Sequence, residues 1–292
     1  MKKNNLQAFS FILPAFLLFL GFVLLPSLGT FYYSLFDMNG FGKQEYIGVR
    51  NYIDAVWNDP IFGRSLLNNT VYLLATLVFE VGFGLGMALV LDLKWPGFSL
   101  FRILFFTPMM LSLVVVGLIW KFVLHPQDGL LNHALRLIGL GRLALPWLAN
   151  PNTSLLTVCV VSGWVYAGFF LVLFYAGLQR IPASLIESAR IDGANEWQII
   201  RHIKLPLLRE VILVAVLICS TGAFKAFDLF YVMTNGEPFH TTEMISTWML
   251  KETFDHSHFG YGSTLNIIMT AIVFAISGVF LWIQRRRTVL EY

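Results

Sequence analysis

An all-α membrane protein with six transmembrane helices is the architecture this sequence predicts, and three observations carry the prediction. Apolar residues make up 57% of the 292-residue chain and charged residues only 13%, against about 25% charged in soluble domains. Mean hydropathy is +0.70. The apolar residues are gathered into runs: Phe11–Tyr33 and the stretches 67–91, 101–124, 154–177, 207–231 and 264–283. Each holds the roughly 20 residues a helix needs to cross ~30 Å of hydrocarbon, and barrel strands would be half as long and would alternate in polarity. The third observation is a single polar segment, 179–206, that interrupts this pattern with an ordered grammar of its own.

Lys2 and Lys3 precede the first stretch much as they would in a secretory signal. No small-x-small cleavage site ends it, and it outruns a signal core. It is expected to stay as an extra N-terminal helix over 11–33, bent at Pro26, ahead of a five-helix core over 67–283. The whole chain, 1–292, reads as one transmembrane domain.

In the second stretch Glu80 lies near mid-membrane, followed by Gly82, Gly84 and Gly86. An ionisable group at that depth needs a partner or water, and glycines let a neighbouring helix approach. Glu80 is therefore either an interhelix hydrogen-bonding group or part of a pathway lining. Pro108 bends the third stretch. The fourth carries Trp164 and Tyr166, with Gly163 and Gly168 for close approach; the two aromatics are pathway candidates or ordinary packing and belt residues. In the fifth, Lys225 and Asp228 stand three apart on one helical face, where they pair or line the outer mouth beside Phe227. Asn266 opens the sixth. Cys159 and Cys219 fall inside spans as small apolar residues, with no disulfide or metal framework. The six histidines show no metal-ligand spacing, and no metal site is expected.

Six spans place both termini on one side. Giving that side the termini and the segments 92–102 and 179–210 collects twelve Lys and Arg residues, Arg285–Arg287 among them, against six in the opposite loops. Basic residues accumulate on the cytoplasmic face, so both termini and the polar insert are assigned to the cytoplasm. A net charge of +3 follows from that bias and implies no nucleic-acid partner. The long outer loops either cap the bundle or dock an external protein.

The insert reads QRIPASLIESARIDGANEWQIIRHIKLP. Ser184 with Glu187 has capping-box spacing, Gly193 permits a tight turn, Asn195 with Gln198 can cap a second helix, and Pro206 sits at the next boundary. Glu187, Ser188 and Ala189, then Gly193, then Ile203, Leu205 and Pro206 resemble the spaced "EAA" loop of bacterial ABC importer permeases. The Asp192-Gly193-Ala194 triplet and Trp197 resemble the longer form found in the sugar-permease group. The segments 46–52 and 234–238 carry the same resemblance.

That resemblance implies a type I ABC importer permease fold with a cytoplasmic coupling helix in the 179–206 loop. It implies a second homologous permease subunit, two cytoplasmic ATPase subunits docked on residues 187–206, an extracytoplasmic solute-binding protein, and a bacterial or archaeal cytoplasmic membrane. In it, Glu187 is the carboxylate at the ATPase interface. A di- or oligosaccharide is the implied cargo, with a glycerol-phosphate-type ester as the neighbouring alternative. Ser188 stands where the motif has alanine, a small-for-small change. The chain has no Gly-x-x-x-x-Gly-Lys-[Ser/Thr] loop and no nucleophile–base set, so no catalysis and no cofactor of its own are expected; ATP and magnesium belong to the partner ATPases. An ion-coupled secondary transporter is the reading from another class, and Glu80 is its one deep acidic group.

Overall fold

The computed structural model describes residues 2–40, 44–93 and 98–288 and is almost wholly helical. Lys43 and Lys94, both used in the charge count, lie outside the described residues. Four uninterrupted helices are long and apolar enough to cross a membrane: Phe11–Tyr33, Pro60–Leu91, Ser154–Leu178 and Phe259–Gln284. Two bent pairs, Leu100–Met110 with Leu113–Val123 and Glu196–Leu207 with Arg209–Phe224, raise the number to six when each pair counts as one span. Among the described residues the sheet content is one antiparallel pair, Phe36–Asp37 with Glu45–Tyr46.

The chain clusters into two compact units, residues 64–247 with 272–292 and residues 1–63 with 248–271. At the centre of the larger unit lies Ser154–Leu178, more than half of its apolar window buried, with Leu156, Val160 and Trp164 exposed along one face. Small residues make that possible. A Cβ at Gly168 would run into the backbone carbonyl of Phe105, so the third span packs backbone to backbone against the fourth. Of the three glycines after Glu80, Gly84 is the one that serves close approach: a Cβ there would meet Phe170 Cβ at 2.7 Å, whereas Gly86 has nothing within 4 Å.

Both bends have a local cause. Pro108 sits in a 3-10 turn, Thr107–Met110, and Leu111 and Ser112 then run extended before the helix resumes, turning it by 101°. The fifth stretch departs from the continuous helix the sequence suggests. It kinks by 66° at Leu208, and its helix ends at Phe224. Residues 225–227 leave helical geometry, Phe227 having φ −138° and ψ −62°, and a new helix begins at Asp228. Lys225 and Asp228 therefore do not share a helical face, and no ion pair joins them among the described residues.

In the smaller unit, Phe11–Tyr33 passes Pro26 without breaking, because a π-turn at Leu20–Leu24 precedes it and the proline takes a first-turn position, where its missing N–H costs little. Asp59 accepts hydrogen bonds from Ile61 N (2.8 Å) and Phe62 N (3.0 Å), capping the second span, and also from Trp248 Nε1 (2.8 Å) and Tyr261 O–H (2.6 Å). Asn51 Nδ2 donates to the carbonyls of Ser34 and Phe36, each at 3.0 Å. These buried polar contacts fix the loop after the first span.

Candidate functional site

Two features of the larger unit can do work: a largely apolar cavity among the spans that holds a few polar groups, and the organised insert. The cavity has a volume of about 310 Å³ and is lined by residues from the second, third, fourth and fifth spans, Tyr72, Thr76, Glu80, Tyr166, Lys225, Phe227 and Asp228 among them. Glu80 is 5% exposed, and its Oε1 accepts a hydrogen bond from Ser162 Oγ at 2.8 Å. Ser162 Oγ also lies 2.7 Å from the Tyr72 hydroxyl. Glu80 thus hydrogen-bonds a neighbouring helix and also borders the cavity. Ser162 and Tyr72 complete the relay. Only their hydroxyls, lost among apolar neighbours in the sequence, signalled them.

Tyr166, Lys225, Phe227 and Asp228 all border this space, with Phe227 stacked on Tyr231 at 5.0 Å between centroids. Trp164 does not. It points away, 43% exposed, with its ring edge-on to Trp120 at 5.6 Å. Its helical position sets it about 160° of helix rotation from Ser162's side, given 3.6 residues per turn. The cavity therefore combines carboxylates, hydroxyls, one ammonium and aromatic faces, a set suited to a neutral polyhydroxylated solute.

The insert folds as two short helices. The first, Ala183–Ile191, starts after Pro182 with no side-chain cap, so the Ser184–Glu187 capping box of the sequence reading does not form; both residues lie inside the helix, beyond reach of a capping geometry. The second capping box does form: Gln198 N donates to Asn195 Oδ1 (2.9 Å) and Asn195 N to Gln198 Oε1 (2.8 Å). Gly193 makes the turn at φ +83°, a conformation glycine adopts without Cβ strain. Arg190 Nη2 and Glu196 Oε1, 2.6 Å apart, clasp the two helices across that turn.

Ile203, Leu205 and Pro206 carry the second helix into the fifth span, with Pro206 in a first turn. Between them Lys204, 3% exposed, reaches Asp92 Oδ2 at 2.8 Å, and Gln179 Nε2 donates to Asp92 Oδ1 at 3.3 Å. The end of the second span is thereby tied to both ends of the insert. Sequence reasoning missed this mount, because Lys204 occupies the variable position of Ile-x-Leu-Pro. Glu187, Ser188, Asp192 and Trp197 are exposed, while Ala189 and Ala194 are half-buried. Ile191 and Trp197, 86% and 67% exposed, present large apolar surface left uncovered by the described residues, as interaction faces do.

Comparison with known proteins bears on both features. Residues 80–289 match the family described as "Binding-protein-dependent transport system inner membrane component". The probable ABC transporter permease protein YurN of Bacillus subtilis (strain 168) is 36% identical over 282 residues, covering 95% of each chain. The sulfoquinovosyl glycerol transport system permease protein SmoG of Agrobacterium fabrum is 31% identical over 290 residues, 97% of this chain and 92% of the other. A bacterial alginate ABC transporter, solved in complex with an alginate pentasaccharide-bound periplasmic protein, superposes with a TM-score of 0.86 at 22% identity, covering 97% of this chain and 96% of that one. With its membrane spans, its insert and a family match over most of its length, the chain belongs to the binding-protein-dependent transport inner membrane components and is an ABC transporter permease subunit with the type I importer fold.

Proposed function

We propose that this subunit forms half of the pore of an ATP-driven importer for a di- or oligosaccharide, with the 187–206 loop as the docking element for a partner ATPase. The observation that carries the reading is the pairing of an aromatic-walled cavity that holds hydroxyl and carboxylate groups with an insert that exposes Ile191 and Trp197. SmoG and the alginate transporter, by their names, handle carbohydrate-containing solutes. A second homologous permease, two cytoplasmic ATPases carrying ATP and magnesium, and an extracytoplasmic binding protein complete the assembly. The charge bias of the loops supports a cytoplasmic position for both termini and the insert.

A glycerol-phosphate-type ester fits less well. Lys225 is one cation on the cavity wall and the Asp228 carboxylate on the same wall offsets it, so a dianionic ester finds no net positive charge there. The ion-coupled carrier gives way to the family membership.

Glu187→Lys combined with Gly193→Val tests the reading in the assembled, reconstituted transporter. Charge reversal and obstruction of the φ +83° turn are expected to cut sugar uptake at least ten-fold while the pore subunits still assemble. Uptake and stimulated ATP hydrolysis at wild-type levels in the double variant would sink the coupling assignment. Stimulation by amino acids and by no carbohydrate would overturn the cargo class.

A further inference from the structure

The loop helix Ile245–Leu250 runs on through a π-turn, Lys251–Asp255, and the chain reverses before the last helix opens at Phe259. The reversal uses Ser257 at φ +63°, a left-handed conformation rare outside glycine and seen where a site constrains the backbone. It brings together three side chains whose sequence spacing announces no metal motif. His256 Nδ1 lies 2.9 Å from Glu252 Oε1, and His258 Nδ1 lies 2.8 Å from Glu252 Oε2. One ligand atom from each residue lies within 4.8 Å of the other two.

The carboxylate is 9% exposed while the imidazoles are 48% and 53% exposed, so the cluster has a buried base and an open rim. Trp248 lies edge-on to His256 at 5.9 Å and fixes one ring from the side. Neither the cavity nor the insert uses these residues.

We propose that Glu252, His256 and His258 form a binding site for a divalent transition-metal ion of the zinc class. Two imidazole nitrogens and one carboxylate oxygen are the donor set such ions prefer, and calcium or magnesium would want oxygen throughout. Tetrahedral zinc, at ~2.0–2.2 Å from each donor, sets neighbouring donors roughly 3.3 Å apart. The contacts at 2.8 and 2.9 Å, made to different oxygens of the Glu252 carboxylate, open by about half an ångström on coordination, and the wider donor spacings, 4.8 Å at most, close. On coordination each neutral ring takes the tautomer with its proton on Nε2, freeing the Nδ1 lone pair for the metal, and a ring that starts as imidazolium releases one proton to solvent. The fourth position faces the open rim. Because Glu252 belongs to the loop helix and His258 directly precedes the last span, bound metal staples one to the other.

The test uses the untagged full chain in detergent, stripped with EDTA and dialysed against zinc chloride. One zinc per chain is expected, with at least a ten-fold loss of affinity in His256→Gln and again in His258→Gln, both rim positions that preserve packing. Cobalt(II) in place of zinc is expected to give the visible absorption of nitrogen–oxygen tetrahedral ligation in the wild type and to lose it in both variants. Zinc well below one equivalent in the wild type would show a purely hydrogen-bonded cluster and overturn the proposal. Undiminished zinc in the two variants would overturn it equally.

Discussion

The first and fourth spans, Phe11–Tyr33 and Ser154–Leu178, look interchangeable in hydropathy, yet none of the first is buried within the chain and more than half of the fourth's most apolar window is. Small residues make the difference. The fourth span carries Ser154, Cys159, Ser162, Gly163, Ala167 and Gly168 among its buried positions. The first offers bulky Phe and Leu around most of its circumference, many of them exposed. In lipid, apolarity alone gives helices no reason to associate; close backbone approach and interhelical hydrogen bonds do. Hydropathy therefore finds the spans, and the distribution of small and hydroxyl residues decides which of them becomes the core.

The strongest way to break this contrast is to put the same residue into both helices. Gly168→Leu drives a side chain into the Phe105 backbone, and a loss of about 4 kcal/mol or failure to fold is expected. Gly21→Leu, with nothing within 4 Å of its Cβ, should change stability by no more than about 0.5 kcal/mol. Thermal unfolding in matched detergent reports both, and equal losses would refute the contrast.

Lys204→Met comes next. It strands the Asp92 carboxylate in a site 12% exposed, and about 3 kcal/mol is expected. Lys204→Met combined with Asp92→Leu should recover most of that, since removing both charges leaves no orphan; denaturation midpoints of the two variants decide. The mildest is Ser162→Ala, which leaves Glu80 and Tyr72 without their shared hydroxyl at about 2 kcal/mol. Transport should fall along with stability, and unchanged transport would separate the relay from the pathway.

Much of this could be read from the chain alone. The six apolar stretches recur as four spans and two bent pairs, because span length is imposed by the bilayer rather than by tertiary packing. The Asn195–Gln198 box and the Gly193 turn were legible because both depend on contacts within a few residues. Long-range choices were not. Ser184 and Glu187 had capping spacing, but Pro182 starts the helix first. Nothing local showed that the fifth stretch would leave helical geometry at 225–227, nor that Trp164 would turn from the cavity. Glu243 sits in an outer loop that reads as solvent-facing. It is fully buried, accepting from the Thr247 hydroxyl at 2.6 Å and lying 2.8 Å from His240 Nδ1. Glu252 and His256 stand four apart on one helical run, but His258 joins them only through Ser257's reversal, which no sequence spacing announces.

The two ion pairs of the insert differ in their exposure to dissolved salt. At physiological ionic strength the Debye length is ~8 Å, and exposed pairs are attenuated while buried ones are screened much less. Arg190 and Glu196, with side chains 56% and 46% exposed, will loosen as the ionic strength around the insert rises. Lys204 and Asp92 will hold. Rising ionic strength should therefore soften the angle between the two short helices while their anchorage to the second span stays stiff.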